Sequence, residues 1–321
     1  MKRLMIKLAL FSIPFVIWVA IVVSIDPFNY FDTSHLISDK VKQINAKPLN
    51  RLMFNMIEYK HDSSDNLIIG DSRSNNLKID RIEEITGDDY FLLNSNALKL
   101  NESFELYWFA SKAKQLDRVY FTLNFNMFNK FAYADRVKSV ESILDNPFFY
   151  IFDRSVAETC WLVTKAHLQK TPSVSTKPPM TREAFWDWNI RVKANDHYGK
   201  FSYPEALLGE MKRVIRHAAE NGTEIVVIIV PHHIEMQARV ADYNLTSEMN
   251  RFRKDFFELG VKVYDYDFVN EITTDKANFE DPIHYTVDTG DRIIREIWGG
   301  DMNIGRLLTS ALIDSLVGSD E

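Results

Sequence analysis

Ser72 ends the triplet Gly70-Asp71-Ser72, directly after the apolar run Leu67-Ile68-Ile69, and the segment Asp281-Pro282-Ile283-His284 begins 209 residues later. A serine hydroxyl is a poor nucleophile at neutral pH unless an imidazole takes its proton, and a carboxylate commonly fixes that imidazole's tautomer. Ser72, His284 and Asp281 are therefore a candidate nucleophile, base and orienting acid for acyl transfer through a serine ester. Each half has a plainer reading. Asp71, Ser72 and Ser74 would also cap a helix expected over 74–86, and an isolated Asp-x-x-His is common in loops. The co-occurrence of the two segments is what points to chemistry.

These groups must be carried to one place by the surrounding elements. Short apolar runs at Leu67–Ile69, Tyr90–Leu93, Val119–Leu123, Ile225–Val230 and Val261–Tyr264 read as strands. The uninterrupted run Ile225–Val230 is what a strand covered on both faces requires. Apolar positions at helical spacing lie between the runs, at Phe104/Trp108 and at Leu207/Leu208/Met211/Ile215/Ala218. Strand–helix alternation of this kind predicts an α/β fold with a parallel sheet, whose ligands bind at the carboxyl ends of strands. Ser72 would sit at that edge. His232 and His233 follow the run Ile225–Val230 and should face the same edge. No carboxylate-rich set accompanies them, so substrate contact or loop hydrogen bonding is expected rather than a metal. Arg73 is expected to meet an anionic substrate group or to make a surface ion pair.

The wider chain sets the context. Leu8–Ile25 is a stretch of 18 residues without a charge, preceded by Lys2, Arg3 and Lys7 and followed by Asp26. At 1.5 Å per residue it nearly crosses a bilayer core, and the charge bias predicts a cytoplasmic N-terminus with the body outside, periplasmic or extracytoplasmic. A cleaved signal peptide would have a shorter apolar region and a small-x-small site, and Val22-Val23-Ser24-Ile25-Asp26 provides neither. The net charge is −7, or −10 without the three N-terminal cations. An acidic body argues against nucleic-acid binding. The single Cys160 excludes an internal disulfide and a cysteine-rich zinc site. The expected organisation is a basic tail (1–7), a transmembrane signal anchor (8–25), a connector (26–63), an α/β domain (64–300) and a C-terminal amphipathic helix and tail (301–321). An insertion at about 126–203 interrupts the domain. It contains helices near Asp135–Leu144 and Ser155–Leu168 and a Pro/Ser/Thr/Lys segment at Thr171–Thr181, and it reads as a lid, a substrate wall or peripheral packing.

The segments Leu67-Ile68-Ile69-Gly70-Asp71-Ser72-Arg73-Ser74 and Asp281-Pro282-Ile283-His284 resemble the first and last blocks of the SGNH (GDSL-like) hydrolases. The resemblance implies a flavodoxin-like three-layer α/β/α sandwich, Ser72 as nucleophile, His284 as base, Asp281 as its partner and no cofactor. It further implies an oxyanion hole made by the N–H of Ser72 with an asparagine of the third block. Asn124, at the end of Val119–Leu123, fits best, and Asn126 two residues on is the alternative. Where the family carries a glycine in its second block this chain has Asn94-Ser95-Asn96-Ala97, with Asn96 as the backbone donor in that position.

The layout of basic anchor, Asp26-Pro27-Phe28 and Pro231-His232-His233 is similar to bacterial envelope members of the family. It implies an esterase or O-acyltransferase for acylated envelope polysaccharide, with a membrane-bound acyltransferase as a partner. A catalytically silent carbohydrate-binding or scaffold protein is one alternative. A lipase or thioesterase, with Phe148, Phe149, Phe185 and Trp186 lining an apolar groove, is another.

Overall fold

A computed structural model describes residues 1–170 and 180–317, and most of the Pro/Ser/Thr/Lys segment at 171–181 lies outside them. The chain forms two compact units. The larger comprises Asp62–Asp135 and Pro178–Glu321, and the smaller Met1–His61 and Arg136–Lys177.

Six strands build the sheet of the larger unit: β1 (Asn66–Gly70), β2 (Tyr90–Asn94), β3 (Arg118–Leu123), β4 (Glu224–Ile229), β5 (Lys262–Asp265) and β6 (Arg306–Leu307). Their order is β2-β1-β3-β4-β5-β6, and the first five pair in parallel. The order 2-1-3-4-5 is the flavodoxin-like arrangement, whose switch point lies between β1 and β3. Strand periodicity explains why both faces of β1 and β3 are apolar. Ile68, Tyr120, Val226 and Ile228 pack with Ile82 of helix Ile79–Thr86 and with Ile293 and Ile294 of helix Val287–Gly299. The alternate residue Phe121 meets Phe104 and Tyr107 of helix Leu100–Ala113.

Strand β6 differs from expectation in two ways. It is antiparallel to β5, so the sheet is mostly rather than wholly parallel, and the helix expected within 301–321 starts only at Ser310. Buried polar groups account for both. Asp265 accepts from Arg306 Nη2 at 2.7 Å and Nε at 3.0 Å, and from Arg253 Nε at 3.0 Å. The buried carboxylate of Glu296 takes the N–H groups of Asn303, Ile304 and Gly305 at 3.1, 2.7 and 2.9 Å, which holds this segment out of a helix.

In the smaller unit, helix Lys2–Ile25 is long and apolar enough to cross a membrane. It ends at Asp26, a buried carboxylate that accepts from the N–H groups of Tyr30, Phe31 and Asp32 and from Tyr150 Oη at 3.0 Å. Tyr30 stacks on Tyr150 and donates to the carbonyl of Leu144. These contacts split the stretch expected as one insertion at 126–203. Residues from Arg136 onward join the N-terminal segment through Tyr150 and Leu144, whereas those from Pro178 belong with the sheet.

Candidate active site

Ser72 and Asn126 leave neighbouring strands at the switch point. Strand β1 ends at Gly70, where the chains run so close that a Cβ would lie 1.7 Å from Thr122 Oγ1 of β3. Only glycine fits. Asp71 then caps the 3-10 turn Ser72–Asn76, its Oδ1 accepting from Arg73 N at 3.0 Å. The capping reading and the nucleophile reading are thus compatible, because Asp71 caps and Ser72 stands half-buried on the first turn.

Two ties bring His284 to Ser72. Asn76 Nδ2 donates to the carbonyl of Tyr285, and Gly290 admits the carbonyl of Asn76, which a Cβ would meet at 2.0 Å. Gly290 lies inside helix Val287–Gly299. A glycine there is the one sequence signal that could have shown this close approach. The His284 loop is also fastened within itself. Asp281 Oδ1 accepts from Ile283 N at 2.8 Å and His284 N at 3.0 Å, while Oδ2 lies 2.8 Å from His284 Nδ1. A carboxylate only accepts, so Nδ1 carries the proton and Nε2 presents its lone pair. That nitrogen is 2.8 Å from Ser72 Oγ. Ser72, His284 and Asp281 therefore form one hydrogen-bonded chain at the carboxyl edge of the sheet.

The electrostatics suit a base. Burial acts to lower the His284 pKa, but the hydrogen bond and charge of Asp281, with the charge of Asp71, outweigh it and leave the imidazole above its usual 6.5. Burial likewise pushes Asp281 up, yet its bonds to His284 hold it below the ordinary carboxylate range. It stays ionised as the ring gains and loses a proton.

The other expected residues sit differently. Arg73 is 1% exposed and all its donors are engaged. Nε and Nη2 bind the Asp71 carboxylate, Nη2 also meets Met127 Sδ, and Nη1 reaches His232 Nε2 at 2.9 Å and Asn126 Oδ1 at 3.4 Å. Arg73 is therefore an internal brace behind Ser72, and its ion pair with Asp71 is buried rather than at the surface. His232 is buried, held neutral by burial and by the Arg73 charge, with its backbone N–H on Asp267. His233 caps helix Ile234–Asp242 through Nδ1, and its backbone N–H donates to the carbonyl of Pro282 at 3.0 Å. Of the two expected uses, loop hydrogen bonding is the one it fills.

Asn124 is the end of a strand turned inward. Its Nδ2 donates to the Val230 carbonyl at 2.7 Å and to Asp267 Oδ2 at 2.9 Å, which leaves no side-chain N–H for an oxyanion. Asn126 reverses the pattern. Arg73 holds its Oδ1, and among the described residues neither its Nδ2 nor the backbone N–H of Ser72 meets an acceptor. In the second block Asn96 is exposed and has ordinary backbone angles, and the left-handed conformation falls instead on Ala97, at φ 51°. A pocket of about 650 Å³ adjoins Asp281, walled by Met180, Phe185 and Phe279.

No protein-family model and no curated protein matches the chain. Solved structures do align with it. One is a candidate acylhydrolase from Bacteroides fragilis (10% identity, 73% of this chain and 86% of that one, TM-score 0.39). Another is described as a lipolytic protein of the G-D-S-L family from Desulfitobacterium hafniense (8%, 74% and 98%, 0.39). A third is a catalytic mutant of an acetylxylan esterase from Geobacillus stearothermophilus (9%, 73% and 91%, 0.37). The fold of this chain rests on the strand order described above.

Proposed function

We propose that this protein is a membrane-anchored, extracytoplasmic serine esterase or O-acyltransferase of the SGNH type, acting on acyl esters of envelope polysaccharide. The observation that carries the reading is the chain Ser72 Oγ–His284 Nε2–Asp281 at the switch point of the sheet. As Ser72 Oγ attacks the ester carbonyl, its proton passes to His284 Nε2, and Asp281 stabilises the imidazolium. The N–H of Ser72 and Asn126 Nδ2 hold the tetrahedral oxyanion. Collapse expels the alcohol, which takes the proton back from Nε2, and leaves acyl-Ser72. Water or a sugar hydroxyl, deprotonated by His284, then releases the acyl group and restores Ser72. With a sugar hydroxyl as acceptor, a membrane-bound acyltransferase would supply the acyl donor.

The pocket of about 650 Å³ beside Asp281, with Met180, Phe185 and Phe279 in its wall, favours a second reading as a lipase or thioesterase for long acyl chains. Intact-mass analysis after fluorophosphonate treatment tests the common core. One adduct on the wild type, lost in Ser72→Ala and His284→Ala, is expected. No adduct on folded wild type refutes a self-sufficient nucleophile. Hydrolysis rates that rise from acetyl to decanoyl esters would favour the second reading over the first.

A further inference from the structure

We propose that the short helix Pro147–Phe152 is a second membrane contact whose phenylalanine rings enter the outer leaflet beside helix Lys2–Ile25. The inference rests on the reading of Lys2–Ile25 as a membrane anchor. Its starting point is depth. The charge-free stretch Leu8–Ile25 is about 27 Å long at 1.5 Å per residue, against a hydrocarbon core of about 30 Å. None of that stretch can be spared to stand above the membrane. Trp18 lies about 10 Å before Ile25 along the axis, in the outer half of the core, and Phe15 about 15 Å before it, at the midplane. The short helix packs against both, with Phe152 stacked on Phe15 at 5.2 Å and Trp18 Nε1 donating to the carbonyl of Ile151 at 3.0 Å. What touches Phe15 and Trp18 must share their depth.

The composition of the short helix fits that position. Pro147–Phe152 reads PFFYIF and carries no charge. Phe148, Phe149 and Phe152 are 55%, 54% and 42% exposed, an apolar surface with no protein cover in this unit. Tyr150, its only polar side chain, turns inward to Asp26. Lipid also demands that end groups be satisfied internally. Asn146 Oδ1 accepts from Phe148 N at 2.9 Å, and Asp153 Oδ1 accepts from Ser155 N and Val156 N at 2.8 and 3.1 Å, so the polar residue at each end is turned back onto the backbone. Arg154, exposed just beyond, pairs its Nε with Glu158 Oε1 at 2.7 Å, so its charge is met within its own helix. Trp161, 69% exposed on helix Arg154–Gln169, is a residue type enriched at the membrane–water interface.

Site-directed fluorescence on the full chain in phosphatidylcholine liposomes tests this. Cysteines are introduced singly as Phe149→Cys, Phe11→Cys and Ser142→Cys and labelled with bimane, while the native Cys160 is buried. Quenching by doxyl-labelled lipid is compared with quenching by aqueous iodide. The expected result is lipid quenching at positions 149 and 11 and iodide quenching at 142. Iodide quenching at 149 with lipid quenching at 11 overturns the second contact and leaves the anchor standing. Protection of 149 from both quenchers means that protein covers the rings, and it too overturns the proposal. Iodide quenching at 11 refutes the anchor itself.

Discussion

Asp281→Asn separates a tautomer-fixing carboxylate from a merely structural one. In the wild type Asp281 Oδ1 accepts two backbone N–H groups, and Oδ2 takes the proton-bearing Nδ1 of His284. An asparagine keeps the first two bonds through its carbonyl, so the loop should hold its shape. Its amide nitrogen, however, would present hydrogens to Nδ1. The ring then moves its proton to Nε2, which donates toward Ser72 Oγ instead of accepting from it. Only the unfavoured tautomer can take the serine proton. The loss expected for such a switch is on the order of 10⁴ in turnover, or about 5.5 kcal/mol of transition-state stabilisation. Folding stability should drop by only about 1.5–3 kcal/mol, the contribution of one charge-assisted hydrogen bond. The assay pairs the second-order rate of fluorophosphonate labelling and p-nitrophenyl acetate hydrolysis with urea unfolding of the same sample. A folded Asp281→Asn protein that reacts within about tenfold of wild type would refute the assigned tautomer.

Further outcomes follow from the same geometry. Asn126→Ala should lower turnover about 10²–10³-fold, as expected for an oxyanion donor, and the lost contact from buried Arg73 to its Oδ1 should cost only about 0.5–1.5 kcal/mol in stability. Asn124→Ala should cost about 1–3 kcal/mol in urea unfolding by stranding the Val230 carbonyl and Asp267; the reverse pattern would restore Asn124 to the oxyanion hole. Labelling of Ser72 should rise with pH as His284 loses its proton, with a midpoint above 6.5 because the folded-state pKa is raised; a midpoint below 6.5 would contradict the Asp281 and Asp71 contributions. The same shift means that the ion pair stabilises the folded protein fully below the unfolded value of 6.5, and that this stability fades as pH climbs through the raised pKa. Gly70→Ala should destabilise by about 1–3 kcal/mol through the clash with Thr122 Oγ1, and adding Thr122→Ala should recover most of the loss in the urea midpoint.

What could be read from the residue order divides by the range of the forces involved. The five parallel strands were legible because each is a short apolar run that must be covered on both faces. β6 was not, since its two residues hold their place through Arg306 on a buried Asp265 rather than through an apolar pattern. Ser72 and Asp281-x-x-His284 stood out because the chemistry of each segment is local. The choice between Asn124 and Asn126 was not legible, because it depends on which amide finds Val230 and Asp267, 106 and 143 residues away. Arg73 was expected on a substrate anion or in a surface ion pair for the same reason. Its partners His232 and Asn126 come from other strand ends. The division of 126–203 was equally hidden, since it turns on Tyr150 reaching back to Asp26.

That last contact joins residues 124 positions apart, and it sets an order of assembly. At ribosomal rates of about 5–20 residues per second, Asp26 waits about 6–25 s after its own synthesis before Tyr150 exists to close over it. The strands β1 to β3 are all made in that interval. The smaller unit, although it holds the first residues of the chain, therefore completes itself only after half of the sheet has been synthesised. The first residues made thus wait for nearly half of the chain before they are enclosed.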